Sequence, residues 1–262
     1  MKTNLFKILT CVAMLLSVSI ANAQPDGHRH PMGGERPHGR HGGPHDRPAG
    51  VMMPPSANPK AMGRDTAYVS TIMARAEKNI SALNLTGAKH DAVRDIVVNR
   101  YFELNDIYTE RDRIITFAKD SLEGKAKQWA IENARAVADS KCYRTHFAMP
   151  AQLSLYLDDK QIEMVKDGIT FNKVKVTYEA YLDEIPSLKD EEKAQIYAWM
   201  IEARELALDA ESSKMKHEVF NKYKGRVNNY LSKRGYDLNK EREAWFKRLE
   251  ERKNKQQKTN DK

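Results

Sequence analysis

Two sets of side chains in this sequence have the types and spacing to grip a polar ligand. The first is Tyr101, Asn105, Tyr108 and Asp112, separated by steps of four, three and four, which put them on one face of a helix. A phenol ring can lie against the C–H face of a pyranose, and amides and carboxylates can pair with neighbouring hydroxyls, so this face has the composition of a carbohydrate site. The alternative use is structural, with the tyrosines in a core and Asn105 as their buried hydrogen-bonding partner. The second set lies between residues 202 and 236. Arg226 comes three residues after Tyr223 and four before Tyr230, one cation between two rings. An arginine so placed can hold a carboxylate such as that of a uronic acid with two hydrogen bonds, or it can brace a helix pair. His217 sits among Lys214, Lys216 and Lys224, which oppose its protonation; it suits an anion site, a base or a plain surface position.

Signatures of catalysis are sparse. Glycoside hydrolysis needs two carboxylates a fixed distance apart across a cleft. Glu202, Glu205 and Asp209 share a helical face, but nearby Lys and Arg residues are the expected partners for them. There is no Gly-x-Ser-x-Gly, no His-Glu-x-x-His and no phosphate loop. No catalytic residue, no cofactor and no metal ligand is assigned. Glu103, Asp106 and Glu110 form an acidic row that reads as a solvated face rather than a calcium site.

The elements that must carry these groups read as helices. Asp65 can cap a first helix whose apolar face is Val69, Ile72, Met73, Ala76, Ile80 and Leu83. Thr86 opens a long second helix, uninterrupted by Pro or Gly until Gly124. A third spans about 123–142, with Ala126, Trp129, Ala130, Ala134, Val137 and Ala138 expected inward. Leu157-Asp158-Asp159-Lys160-Gln161 has the form of a capping box, and its helix should close at Gly168. Residues 171–177 read as an extended loop because Val174 and Val176 alternate, which adds Thr170, Thr177 and Tyr178 to the candidates. Thr177 would then cap a short helix stopped by Pro186. Ile196, Trp199, Ala203, Leu206 and Ala210 make one stripe, Ser212 or Ser213 starts the next helix, and Gly235 ends it. The chain is therefore expected to be all-α, a single helical-bundle-like domain.

Lys2 and Lys7, the apolar run 8–20 and Ala21-Asn-Ala23 have the form of a signal peptide at 1–23, which places the mature chain in the periplasm or outside the cell, with no membrane insertion after cleavage. Residues 24–63 hold eight of the ten prolines and five of the eight histidines, and too few apolar residues to offset the entropy of ordering, so they read as a disordered linker. Its histidines can bind metal adventitiously; their spacing is irregular and defines no site. Residues 64–245 would be the helical domain and 246–262 a charged tail. Cys142 is then the one cysteine left, so no internal disulfide forms and a hydrophobic core must supply stability. Residues 64–238 carry 28 basic and 28 acidic side chains, a neutral balance that gives no reason to expect nucleic-acid binding. The sequence sets no oligomeric state.

The residues ARELALDAESSKMKHEVFNKYKGRVNNYLSKRGYDL at 203–238, with NRYFELNDIYTERD at 99–112 and VKDGIT at 165–170, resemble a family of secreted bacterial proteins catalogued as domain of unknown function 3826. That family occurs among Gram-negative polysaccharide degraders and is described as sugar-binding. The resemblance implies a non-catalytic saccharide-binding protein of polysaccharide utilisation, with acidic plant-type glycans among its ligands. With the local chemistry it selects Arg204, Asp209, His217, Tyr223, Lys224, Arg226, Asn229 and Tyr230 as binding residues, beside Tyr101, Asn105 and Asp112. This requires residues 214–236 to meet the Tyr101 helix in a shared hollow. A second resemblance, to Spy-like periplasmic chaperones, some relatives of which sense metals, rests on 157–161, where Asp158 replaces the Thr of a Leu-Thr-x-x-Gln motif. The capping box accounts for that motif equally well.

Overall fold

A side-chain oxygen of Asp65 accepts a hydrogen bond from the backbone N–H of Tyr68 (2.8 Å) and so starts the first long helix, as the sequence leads one to expect. In the computed structural model, residues 58–260 are described, and every element among them is helical. The expected signal peptide and most of the His-rich stretch lie outside the described residues. A 3-10 turn (Pro59–Ala61) comes first, and Asn58 before it donates to the Asn99 side chain (2.9 Å). The α-helices are α1 (Thr66–Ile80), α2 (Gly87–Ser121), α3 (Gly124–Thr145), α4 (Ala148–Leu153), α5 (Asp159–Ile169), α6 (Lys173–Glu184), α7 (Asp190–Leu208), α8 (Ser213–Lys233) and α9 (Leu238–Asn260). None is long and apolar enough to cross a membrane.

Two large apolar cores organise the described chain, with a smaller cluster of Leu104, Ile107, Ala138 and Cys142 between α2 and α3. In the first, Ile72, Met73, Ala76 and Ile80 of α1 pack with Val93, Val97, Val98 and Phe102 of α2 and with Leu153, Ile162 and Val165 from α4 and α5. In the second, Val174 and Tyr181 of α6 pack with Ile196, Met200, Ala203 and Ala207 of α7 and with Phe220, Val227 and Leu231 of α8. Trp245 of α9 is buried and donates its indole N–H to Asp183 (2.7 Å). The capping box at Asp158 and Gln161 is complete, each side chain bonding the other's backbone N–H.

Two expectations are overturned. Residues 171–177 are not an extended loop: Thr170, Phe171 and Asn172 turn the chain, the last two in the left-handed region (φ 61° and 54°), and α6 begins at Lys173. Val174, Thr177 and Tyr181 fall three and four residues apart on its buried face, so packing against α7 and α8 overrides the β preference of the branched residues. Trp129 is 67% exposed and Leu206 is 55% exposed, where both were expected inward, and Val137 is exposed too. Helix α3 buries Ala134, Ala138 and Cys142 instead. Small residues at that contact bring α2 and α3 close together.

One close approach has a sharp consequence. A Cβ added to Gly168 of α5 would stand 2.5 Å from the carbonyl oxygen of Asn79 in α1. Alanine normally gains about 1 kcal/mol over glycine inside a helix. Here the added methyl would meet backbone, which cannot rotate away, and overpacking costs about 1–3 kcal/mol. Gly168→Ala should therefore lower unfolding free energy in urea by about 1–2 kcal/mol; a gain would show that α1 and α5 do not cross at this point.

Candidate functional site

A cleft of about 940 Å³ opens where α1, α2, the α5–α6 turn and the start of α8 converge. Helix α1 brings Arg75, Lys78 and Asn79; α2 brings Tyr101, Asn105, Tyr108 and Asp112 at the spacing that marked them in the sequence. The Ser212 side chain accepts from the N–H of Met215 (3.2 Å) and fixes the start of α8 at the cleft. One turn later Lys216 is 5% exposed. Its Nζ donates to the carbonyl of Ile169 (3.2 Å) and lies 5.4 Å from the centre of the Tyr101 ring. Asn79 donates to the Tyr101 hydroxyl (2.8 Å), and the Arg75 guanidinium lies 5.7 Å from the same ring. Burial pushes the Tyr101 phenol above its usual range, so it stays neutral.

Charge in the cleft is one-sided. Lys216, Arg75 and Lys78 make no ion pair with a carboxylate among the described residues. The two acids at its edge, Asp112 and Glu211, are both held by Arg111 at 2.6 Å. Burial, reinforced by Arg75, lowers the Lys216 amine to about 8. A buried cation without an opposite charge is costly, and this one adjoins the free N–H groups of a helix start, which favour negative charge. The hollow therefore holds uncompensated positive charge beside tyrosine rings.

The other expected binders are not gathered there. Arg204 is 2% exposed and does not line the cleft. Its guanidinium bonds Asp167 (3.0 Å), Glu205 (2.9 Å) and Glu163, tying α7 to α5. Asp209 is held by Arg100 (2.5 Å) and His146 (2.8 Å), tying the end of α7 to α2 and α3. Glu202 is paired with Arg226 (3.3 Å). Glu103, Asp106 and Glu110 each pair with an arginine, and no cluster placed to hold a metal occurs among the described residues. His217 stacks on Phe171 (5.2 Å), and burial, then Lys173 and Lys224, lower its pKa. Lys224 lies apart from the cleft, its carbonyl accepting from Tyr181 (3.3 Å). Tyr223, Arg226, Asn229 and Tyr230 sit farther along α8. Arg226 stacks over Trp199 (4.7 Å) and Tyr223 (5.8 Å), not between Tyr223 and Tyr230. Thr170 and Thr177 are buried, and Tyr178 packs edge-on against Tyr197 (5.2 Å).

Sequence reasoning passed over Lys216 and Arg75. A signal for the first was present: Lys216, Phe220, Tyr223 and Val227 follow helical spacing, so a lysine stands on an apolar stripe.

The ionic seam between the cores predicts a pH effect. Hydrogen bonds to Asp209 first, and to Glu205 second, raise His146 to about 9. A group whose folded pKa lies above its unfolded value stabilises fully below the unfolded value, about 6.5, and loses that contribution as pH rises through about 9. Wild type should thus lose its stability advantage over His146→Gln between pH 6.5 and 9 in thermal melts; a constant gap across that window would mean the imidazole is neutral when folded.

A family model described as "Protein of unknown function (DUF3826)" matches residues 69–251, a span that includes the cleft and the seam. No curated protein matches the chain.

Proposed function

The chain belongs to the DUF3826 family, and on that premise we propose that it binds a carboxylate-bearing saccharide in the α1–α2–α8 cleft without chemically altering it. The observation that carries this reading is Lys216: a buried ammonium with no carboxylate partner, against the ring of Tyr101, in a hollow whose own acids are already taken by Arg111. A uronate suits the site. Its carboxylate replaces the missing counter-charge of Lys216 and Arg75, its ring lies against tyrosine, and Asn79 and Asn105 meet its hydroxyls. The leader-like sequence at 1–23 fits a periplasmic or secreted protein that works beside polysaccharide-degrading enzymes. The acids considered for hydrolysis, Glu202, Glu205 and Asp209, are engaged in ion pairs, which favours binding over turnover.

Calorimetric titration with trigalacturonate and with its neutral methyl ester tests the reading. Binding of the acid form, at least tenfold tighter than the ester and weakening above pH 8 as Lys216 loses its proton, is the expected outcome. Equal affinity for the two, release of shortened products, or suppression of client aggregation with no saccharide affinity would each overturn it.

A further inference from the structure

Helix α8 carries a second recessed surface, on the side away from the cleft. A groove of about 620 Å³ runs over Trp199 of α7 and is bordered by Lys222, Arg226 and Lys233. Its middle is Gly225. Glycine weakens a helix interior, and it is normally kept there for a left-handed backbone or a close neighbour. Gly225 has neither: its φ is not positive, and an added Cβ would meet nothing within 4 Å. What the missing side chain does is leave open space beside the indole. Tyr230 supports that indole edge-on at 5.3 Å, and Arg226 is stacked on it at 4.7 Å.

Charge identifies the occupant. Lys222 and Lys233 have no carboxylate partner among the described residues, and the one acid paired with the groove's cations is Glu202, on Arg226. An aromatic floor ringed by cations, with the exposed Asn229 amide at its edge, matches a ring that is apolar on one face and carries a carboxylate. We propose that the Trp199–Gly225 groove is a second, independent subsite for a uronate-type saccharide, its ring in the space that Gly225 leaves open beside Trp199 and its carboxylate between Arg226 and the two lysines. This extends the binding reading to another surface and shares no residue with the cleft.

Gly225→Leu fills the groove from an exposed helical position and keeps the chain folded, while Gly225→Ala is the control that adds only a methyl. The probe is trigalacturonate, followed by calorimetry and by Trp199 fluorescence. Wild type should show two sites. Lys216→Met should weaken one and leave the other at its wild-type affinity, and adding Gly225→Leu to it should weaken that second site at least tenfold. Gly225→Leu alone should leave the cleft site intact, so loss of either reading is seen separately. The groove is refuted if Gly225→Leu changes nothing in the Lys216→Met background, or if the methyl ester or tripolyphosphate binds there as tightly as trigalacturonate.

Discussion

Lys216→Met should weaken trigalacturonate binding at the cleft by about ten- to a hundredfold while leaving the fold as stable as before, within about 1 kcal/mol. The two halves of that result come from opposite terms. A charged hydrogen bond to a ligand carboxylate contributes about 1.5–3 kcal/mol, which gives the loss of affinity at about 1.4 kcal/mol per tenfold. In the empty protein the same ammonium is a liability. Burial lowers it to about 8, and its one hydrogen bond goes to the Ile169 carbonyl. Methionine has a similar length and fills the space without a charge to desolvate, which offsets the lost bond. A merely structural lysine would give the reverse pattern, with stability falling and binding unchanged. Melting curves and titrations on one preparation separate the two.

Arg204→Met should cost about 3 kcal/mol of unfolding free energy, seen as a lower urea midpoint. Breaking a buried ion pair by removing one partner costs about 3–5 kcal/mol because the remaining charges lose their compensation. The low end applies because Glu163 is partly open to water and can be rehydrated. Arg204→Lys should recover little, since an ammonium cannot address Asp167, Glu205 and Glu163 with one planar fork. Acid should reveal the same link. Burial opposes ionisation of Glu205, yet hydrogen bonds from His146 and Arg204 outweigh it and hold that carboxyl down to about 2. Its contribution is present above about 4.5 and is lost as pH falls towards 2. Arg204→Met should therefore be less acid-sensitive than wild type in that window. An unchanged urea midpoint would mean that the Arg204 ion pairs contribute nothing to holding α7 on α5.

Local signals in the sequence carried most of the fold. The cap at Asp65, the box at Asp158 and Gln161, the Ser212 start and the Gly235 stop (φ 95°) each involve residues within four positions of one another, so spacing suffices to read them. What failed depended on distant neighbours. The alternation of Val174 and Val176 is genuine, but the apolar faces of α7 and α8 decide that this segment is a helix. The outward indole of Trp129 follows from how closely α2 and α3 approach, which alanines on one helix do not reveal. The candidate site divided for a related reason. At 1.5 Å per residue Lys216 and Asn229 stand roughly 20 Å apart along α8, and they line separate hollows, although both lie in the segment the family resemblance picks out. The Tyr101, Asn105 and Asp112 face was readable because all three sit on one helix.

The α2–α3 hairpin sets where the molecule gives way. Beyond Ile107 the buried residues of α2 reduce to Ala118, and α3 offers only Ala134, Ala138 and Cys142 in return. So little apolar surface is lost on parting these helices that the outer half can open as a unit well before global unfolding. Amides around the Leu122–Gly124 bend will then exchange with solvent from a molecule whose Tyr101 and Lys216 remain in place.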